Sequence, residues 1–377
     1  MRIGFDGKRA VQNFTGLGNY SCYVADILCH FYPENDYVLY APKKRENKRM
    51  NLLTGQYRQL TLAYPATSFW KKLSSLWRVW GITSQLEKEG IELFHGLSNE
   101  LPLNIHKSRI KSIVTIHDLI FLRYPQYYQS IDRKIYTYKF RKACENADKI
   151  IAISECTKRD ITRYFNIPDD KIEVVYQGCD VSFTHPVTEE KKEEVRKKYQ
   201  LPDHYILNVG SIEERKNILA AVQALPMLPQ HIHIVIVGRR TGYTKKVEQF
   251  IKDNGLGERV HIISNVPFND LPAFYQSAEI FVYPSRFEGF GIPIIEALYS
   301  GIPVVAATGS CLEEAGGPDS IYVNPDDITG LADAFKQIYS NSDKRKNMVE
   351  KGREFAKRFS EKQQSEEIIN IYKKLIR

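Results

Sequence analysis

The sequence predicts an α/β protein built from two doubly wound domains, each with its own parallel sheet. Three observations predict it. Short Val/Ile/Leu-rich runs alternate with longer polar-apolar stretches in the first half of the chain, as buried parallel strands joined by crossover helices do. The second half repeats the scheme from Tyr205 onward. Between them, Phe183–Tyr199 opens with His185-Pro186 and becomes a run of Glu and Lys, which reads as a linker and one solvated helix. The 377 residues suit two domains of roughly 100–200 residues each.

The first domain spans residues 1–185. Its strands are expected at Arg2–Asp6, Tyr37–Tyr40, Leu60–Ala63, Leu93–His95, Ser112–Ile116, Ile150–Ile153 and Glu173–Val175, with helices at Asn19–Phe31 and Asp132–Asn146. The second domain spans 186–360. Its strands are expected at Tyr205–Val209, Ile232–Val237, Val260–Ile263, Ile280–Tyr283, Pro303–Ala306 and Ile321–Val323, with helices at Asn217–Ala224, Lys245–Asp253 and Leu271–Gln276. Glu361–Arg377 is a charged amphipathic helix with Ile368, Ile369, Ile371 and Leu375 on its buried face. It is expected to pack back on the first domain. A ligand would sit in a cleft between the strand ends of the two domains.

Composition narrows the class. At 43% hydrophobic and 26% charged residues, the chain is neither disordered nor a fibrous repeat. It has no uncharged apolar stretch of about 18 residues. Its start, MRIGFDGKRA, lacks a signal-peptide core, so a cytoplasmic location is expected. Cys22, Cys29, Cys144, Cys156, Cys179 and Cys311 form no CxxC pair and no local zinc spacing, so they read as reduced thiols. Residues 1–185 hold 27 Lys and Arg against 19 Asp and Glu, and residues 186–377 hold 26 of each. All the net charge of +8 therefore sits in the first half, which suggests an anionic partner. Nucleic acid is not expected, because the aromatics do not interleave with the basic residues as in a recognisable module.

Four segments carry candidate chemistry. In Thr15-Gly16-Leu17-Gly18-Asn19-Tyr20, two glycines precede an expected helix, either as a tight turn or as backbone that approaches an anion. It is a poor dinucleotide fingerprint, because the third glycine would fall at Ser21. Thr115-Ile116-His117-Asp118 ends a buried strand. There His117 could hydrogen-bond a substrate and Asp118 could orient it or cap the next helix. In Val209-Gly210-Ser211-Ile212-Glu213-Glu214-Arg215-Lys216-Asn217, a strand runs into a glycine turn and two cations stand at an expected helix start. Cations oppose the dipole there, and binding a diphosphate would explain them better than a solvated pair. In Glu288-Gly289-Phe290-Gly291-Ile292-Pro293-Ile294-Ile295-Glu296, Pro293 suits a first helical turn. One carboxylate lies on a loop and the other about one turn into the helix, a pairing suited to hydroxyls on a sugar and a ribose.

The stretch EGFGIPIIEAL resembles the E-x7-E motif of retaining, nucleotide-sugar-dependent glycosyltransferases of the GT-B fold, family 4 (glycosyl transferases group 1). TGLGNY, TIHDLIFLRYPQYY, ISECTKRDI, VVYQGCD, VGSIEERKNI, Val237-Gly238 and SGIPVVAA agree with that family in order and spacing. The resemblance implies two Rossmann-like domains, the first for the acceptor and the second for the donor. It implies that Arg215 and Lys216 bind the donor diphosphate, Glu288 contacts the transferred sugar, and Gly289, Phe290 and Gly291 line it. Glu296 would hold the ribose, Gly16, Leu17 and Gly18 would approach the diphosphate or acceptor, and His117 would face the sugar. The glycines of the two strand ends, Gly210 and Gly238, join the donor set, and Asp118 and Ser154 the acceptor side. Many members have Arg directly after the first glycine of the VG turn, where this chain has Ser211. The RKN variant resembles a mannosyltransferase-like subgroup, so GDP-mannose is the expected donor and a glycan or lipid-linked glycan the acceptor, in cell-surface polysaccharide synthesis.

No resident cofactor and no metal are expected, since no DxD-type motif stands where a divalent ion would be held. The segment Phe69–Trp80 mixes all three Trp residues with three cations, Lys71, Lys72 and Arg78. It reads as a helix lying on an anionic membrane surface, or as one packed on the sheet with snorkelling cations. Two other function classes stay in view: a sugar-nucleotide epimerase of related fold, and a non-catalytic nucleotide-sugar or glycan binder.

Overall fold

A computed structural model describes residues 1–13 and 16–376. The chain divides into Met1–Gln177 with Glu361–Arg377, and Gly178–Ser360. The division falls at 177/178 rather than at 185, since Val187 N–H donates to Gln276 Oε1 at 2.8 Å and Phe183 packs edge-on against Tyr275. The segment after Gln177 thus belongs to the second unit.

The first unit holds seven parallel strands: β1 (Arg2–Asp6), β2 (Asp36–Tyr40), β3 (Leu60–Ala63), β4 (Leu93–Gly96), β5 (Lys111–Ile116), β6 (Lys149–Ala152) and β7 (Ile172–Val174). Their order is β3-β2-β1-β4-β5-β6-β7, with Phe5 registered between Leu39 and His95. The second unit holds β8 (Tyr205–Val209), β9 (His233–Val237), β10 (Val260–Ile263), β11 (Ile280–Tyr283), β12 (Val304–Ala307) and β13 (Ile321–Val323), in the order β10-β9-β8-β11-β12-β13. Strand order reverses between β1 and β4 in one sheet and between β8 and β11 in the other. These switch points open a crevice at the carboxyl ends of the strands.

The helices follow local rules. Ser154, Thr188 and Asn341 cap theirs with side-chain oxygens, satisfying N–H groups that the helix leaves open. The helix expected at Asn19–Phe31 begins at Gly16, so Gly16, Leu17 and Gly18 lie in its first turn and not on a preceding loop; Thr15 lies outside the described residues. A Cβ on Gly18 would stand 1.8 Å from the Asn13 carbonyl oxygen, so close backbone packing demands this glycine. Gly16 meets no such neighbour.

The terminal helix Glu361–Ile376 packs on Gly16–Phe31, burying Ile368, Ile369, Ile371 and Tyr372. Leu375 is only half-buried and Tyr372 takes the deeper place. Its hydroxyl hydrogen-bonds His95 Nδ1 at 2.6 Å, and His95 Nε2 continues to Thr115 Oγ1 at 2.8 Å. Burial and the neighbouring His117 push the His95 pKa down to about 3, so the ring is neutral and joins the helix to the sheet through hydrogen bonds alone.

Phe69–Trp80 is not one helix. Ser68–Lys72 stops at Leu73, and after Ser74–Leu76 a wider turn, Trp77–Gly81, leads into Ile82–Lys88. A Cβ on Gly81 would meet the Trp70 ring at 2.6 Å, so that ring seats against the wide turn. Trp77 is fully buried, whereas Phe69 and Trp80 are 62% and 47% exposed. The segment thus splits between core packing and surface. All six cysteines are free thiols and buried. No helix of the described residues is long and apolar enough to cross a membrane.

Candidate active site

In the second unit the chemistry gathers at the switch point. β8 ends at Gly210, whose φ of +154° is strained for any residue with a side chain. Over this glycine lies Lys216, since a Cβ there would meet its Nζ at 3.0 Å. Arg215 and Lys216 occupy a single 3-10 turn, Glu214–Lys216. Asn217 then turns left-handed at φ 55° before the helix Ile218–Ala224. The two cations therefore close a short turn rather than open a helix. Asn217 holds that break by donating from Nδ2 to the Pro325 carbonyl at 2.8 Å.

From β11, Tyr283, Ser285 and Glu288 meet these cations. Arg215 Nη1 lies 2.8 Å from Glu288 Oε2, and Lys216 Nζ lies 3.8 Å from Oε1. Ser285 Oγ and Tyr283 OH donate to Glu288 Oε1 at 2.9 and 3.2 Å, and Lys216 Nζ donates to Tyr283 OH at 3.3 Å. Arg215 also donates to the Phe287 carbonyl. Burial would raise the Glu288 carboxyl, but the Lys216 and Arg215 charges overcome it and hold its pKa below the ordinary value. Burial would likewise lower Lys216, and Tyr283 and Glu288 reverse that. Glu213 Oε2 also lies 3.8 Å from Arg215 Nη2 and its Oε1 3.8 Å from Arg239 Nη2, so three cations face two carboxylates and leave a net positive cluster able to receive an anion.

The glycine loop is held from behind. Cys311 Sγ donates toward the carbonyls of Glu288 at 3.0 Å and Phe290 at 2.8 Å. The Phe290 ring is 3% exposed and packs edge-on against Phe359, so only its backbone can line a ligand. Gly291, at φ +150°, opens the helix Ile292–Ser300 with Pro293 in its first turn. Glu296 belongs to a separate polar group, where Tyr275 OH donates to its Oε2 at 2.6 Å. Burial, aided by Asp180 and opposed by the Tyr275 hydrogen bond, raises the Glu296 pKa to about 7. Gly238 follows β9, and a Cβ there would lie 1.8 Å from the Gly210 carbonyl oxygen.

The first unit holds the other candidates. His117 follows β5 and is 7% exposed. Its Nε2–H donates to the Leu97 carbonyl at 2.9 Å, and Gln177 Nε2 lies 3.2 Å from Nδ1. Burial lowers its pKa to about 4, against the raising effect of Leu97. The ring is neutral and both nitrogens are engaged within the unit. Asp118 Oδ1 accepts from Ile120 N–H at 3.1 Å, a local turn one residue ahead of Leu119, the N-cap of the short helix Ile120–Arg123. Ser154 is fully buried and caps the helix Glu155–Phe165 through Thr157 N–H at 3.0 Å. Among the described residues, no group of three or more His, Cys, Asp or Glu could hold a metal ion.

The sequence reading missed Tyr283, Ser285 and Cys311, which signal themselves only by proximity in space. It also missed a buried network at the first switch point. There Arg78 bridges Asp6 at 2.5 Å and Glu100 at 2.6 Å. Asp6 carried one legible signal, a carboxylate closing an otherwise apolar strand.

The two Rossmann-like parallel-sheet units have the architecture of the GT-B glycosyltransferases. Residues 27–183 match the family described as Glycosyltransferase Family 4, and residues 189–355 match Glycosyl transferases group 1. O-antigen chain mannosyltransferase B of Escherichia coli is 30% identical over 289 residues, 75% of this chain and 74% of that one. O-antigen chain mannosyltransferase RfbU of Salmonella typhimurium is 29% identical over 225 residues, 60% of each chain. In fold, HepE of Anabaena in complex with UDP superposes with a TM-score of 0.78 at 18% identity, over 100% of both chains. A glycosyltransferase from Rickettsia africae does so with 0.78 at 20% identity, over 100% of this chain and 98% of that one. The chain belongs to the group 1 glycosyltransferases, family 4.

Proposed function

We propose that this enzyme transfers mannose from GDP-mannose to a glycan or lipid-linked glycan acceptor, with retention of configuration, in cell-surface polysaccharide synthesis. The observation that carries the reading is the Arg215–Lys216–Glu288 cluster at the β8/β11 switch point. The mannosyl donor rests on similarity to the two O-antigen mannosyltransferases. In this reading the second unit binds the donor and the first the acceptor.

The mechanism follows from charge. As the bond between the sugar's anomeric carbon and the phosphate oxygen breaks, negative charge grows on the diphosphate and positive charge on the ring. Arg215 and Lys216, already held in place by Glu288 and Tyr283, stabilise the diphosphate without reorganising, the form of electrostatic help that lowers barriers most. These cations supply the charge for which a metal ion would otherwise serve. The acceptor oxygen attacks the anomeric carbon from the leaving group's face and passes its proton to the departing phosphate oxygen. Glu288 and the backbone of Gly289, Phe290 and Gly291 line the sugar, Glu296 accepts from the ribose hydroxyls, and Gly210 and Gly238 let the two strand-end turns and Lys216 pack together beside the donor. Gly16, Leu17, Gly18, His117, Asp118 and Ser154 belong to the acceptor-side unit, where His117 and Ser154 act by shaping the backbone.

Exposed Phe69 and Trp80 beside Lys71 and Lys72 support peripheral attachment to the cytoplasmic face of an anionic membrane. A thermal-shift panel with GDP, UDP, ADP, CMP and NAD tests the donor. A ligand at a hundredfold excess over Kd adds about 2.7 kcal/mol. Stabilisation by GDP alone is expected. A shift with UDP or ADP alone discards the donor, and a shift with NAD alone discards the transferase reading.

A further inference from the structure

A second site stands at the other switch point. In the first unit, strand order reverses between β1 and β4, and there a pocket of about 750 Å³ opens. Arg78 forms its floor, bound to Asp6 at the end of β1 and to Glu100 just beyond β4. Lys139 also reaches Glu100, at 3.5 Å. Burial opposes the ionised form of Glu100, but Arg78 and Lys139 hold its pKa down at about 2. The two carboxylates are thus balanced by Arg78 and Lys139.

Two more cations line the pocket, Lys8 and Lys134. Neither ammonium has an ion-pair or hydrogen-bond partner among the described residues. Burial, Arg78 and Arg9 work against the charge on Lys8 and outweigh the attraction of Glu100 and Asp6, so its pKa lies below the ordinary value and an anion beside it would relieve an existing cost. The rim is apolar: Leu76, Trp80, Ile135 and Tyr138 line it while 44–55% exposed. Exposed apolar side chains gathered on one pocket mark a binding site. A flat bilayer does not fill a concavity of this size, whereas one amphiphile does.

We propose that this pocket binds the lipid-phosphate end of the acceptor, with the phosphate at Lys8 and Lys134 and the start of the lipid chain on Leu76, Trp80, Ile135 and Tyr138. The proposal rests on the glycosyltransferase reading with a lipid-linked acceptor, and it names that acceptor's chemical class.

All three tryptophans lie in this region, at 70, 77 and 80, so intrinsic fluorescence reports on it. The full chain is titrated with farnesyl diphosphate, farnesol, inorganic diphosphate and phosphatidylglycerol vesicles. Farnesyl diphosphate is expected to give a saturable change, at least about tenfold tighter than farnesol or inorganic diphosphate. The double variant Lys8→Gln/Lys134→Gln should weaken it by about tenfold or more, the loss of roughly 1.4 kcal/mol. Lys134 is exposed, so Lys134→Gln alone tests the same point without risk to folding. Equal affinity for farnesol, equal affinity for inorganic diphosphate, a response to vesicles alone, or variants that bind as wild type would each overturn the proposal. The GDP thermal shift, run on the same variants, separates the two sites. Its absence in wild type defeats the donor reading, whereas its presence alongside failed farnesyl diphosphate binding defeats only the pocket.

Discussion

The alpha carbon of Gly238, at the end of β9, stands so near the Gly210 carbonyl that a Cβ would sit 1.8 Å from that oxygen. Two strand-end turns therefore touch through bare backbone, and Lys216 lies over the first of them. Gly238→Ala must push the Gly210 turn aside. Overpacking of this kind costs about 1–3 kcal/mol, and for a unit of this size each kcal/mol lowers Tm by roughly 2–4 °C. Nucleotide affinity should fall with it. An unchanged Tm with full GDP binding would show that the turns are not coupled.

Lys216→Ala should lower turnover far more than stability. Loss of one preorganised donor costs about 10²–10³-fold in rate. Glu288 keeps Arg215 at 2.8 Å and Ser285 at 2.9 Å, so the fold loses little. Steady-state kinetics beside a thermal melt check this, and turnover near wild type would remove Lys216 from the mechanism.

With Glu296 at the proposed ribose position, nucleotide binding should depend on pH. Burial raises its pKa from 4.5 to about 7, and ribose hydroxyls donate best to the ionised form. Nucleotide affinity should rise from pH 6 to pH 8, with proton release on binding, and Glu296→Gln should flatten the profile. Calorimetry in two buffers of different ionisation heat reads the proton directly. The sign for stability is opposite. Between pH 4.5 and 7 the unfolded carboxyl ionises first, so the ligand-free unit loses stability as pH rises. A donor affinity that falls with pH would contradict the ribose role.

Cys311 holds the glycine loop through the Glu288 and Phe290 carbonyls. Cys311→Ala should raise donor KM about fivefold, the worth of one hydrogen bond near 1 kcal/mol, with kcat less affected. Cys311→Ser keeps a donor there and should restore KM. Equal kinetics for both variants would reduce Cys311 to packing.

Much of the architecture was legible in the sequence. All thirteen strands lie within one residue of their expected bounds, because strands buried on both faces must be written as unbroken apolar runs. The glycine turn that precedes Arg215 and Lys216 was legible because turn chemistry is local, whereas Glu288 and Glu296, read as a pair, fall in separate polar groups. Phe69–Trp80 was not. Its helical composition hides a break at Leu73 and a wide turn, which Trp77 imposes by entering the core while Arg78 turns to Asp6.

The sequence by itself determined two parallel-sheet units and a cationic pair beside a glycine loop, since hydrophobic period and local turn chemistry are short-range properties. Only the tertiary structure decided that His117 has both nitrogens engaged, that Tyr283 and Ser285 hold Glu288, and that Lys8 and Lys134, 126 positions apart in the chain, line one pocket. Those relationships join residues from different strands and helices. Chain crossing at a switch point creates them, and no local pattern encodes it.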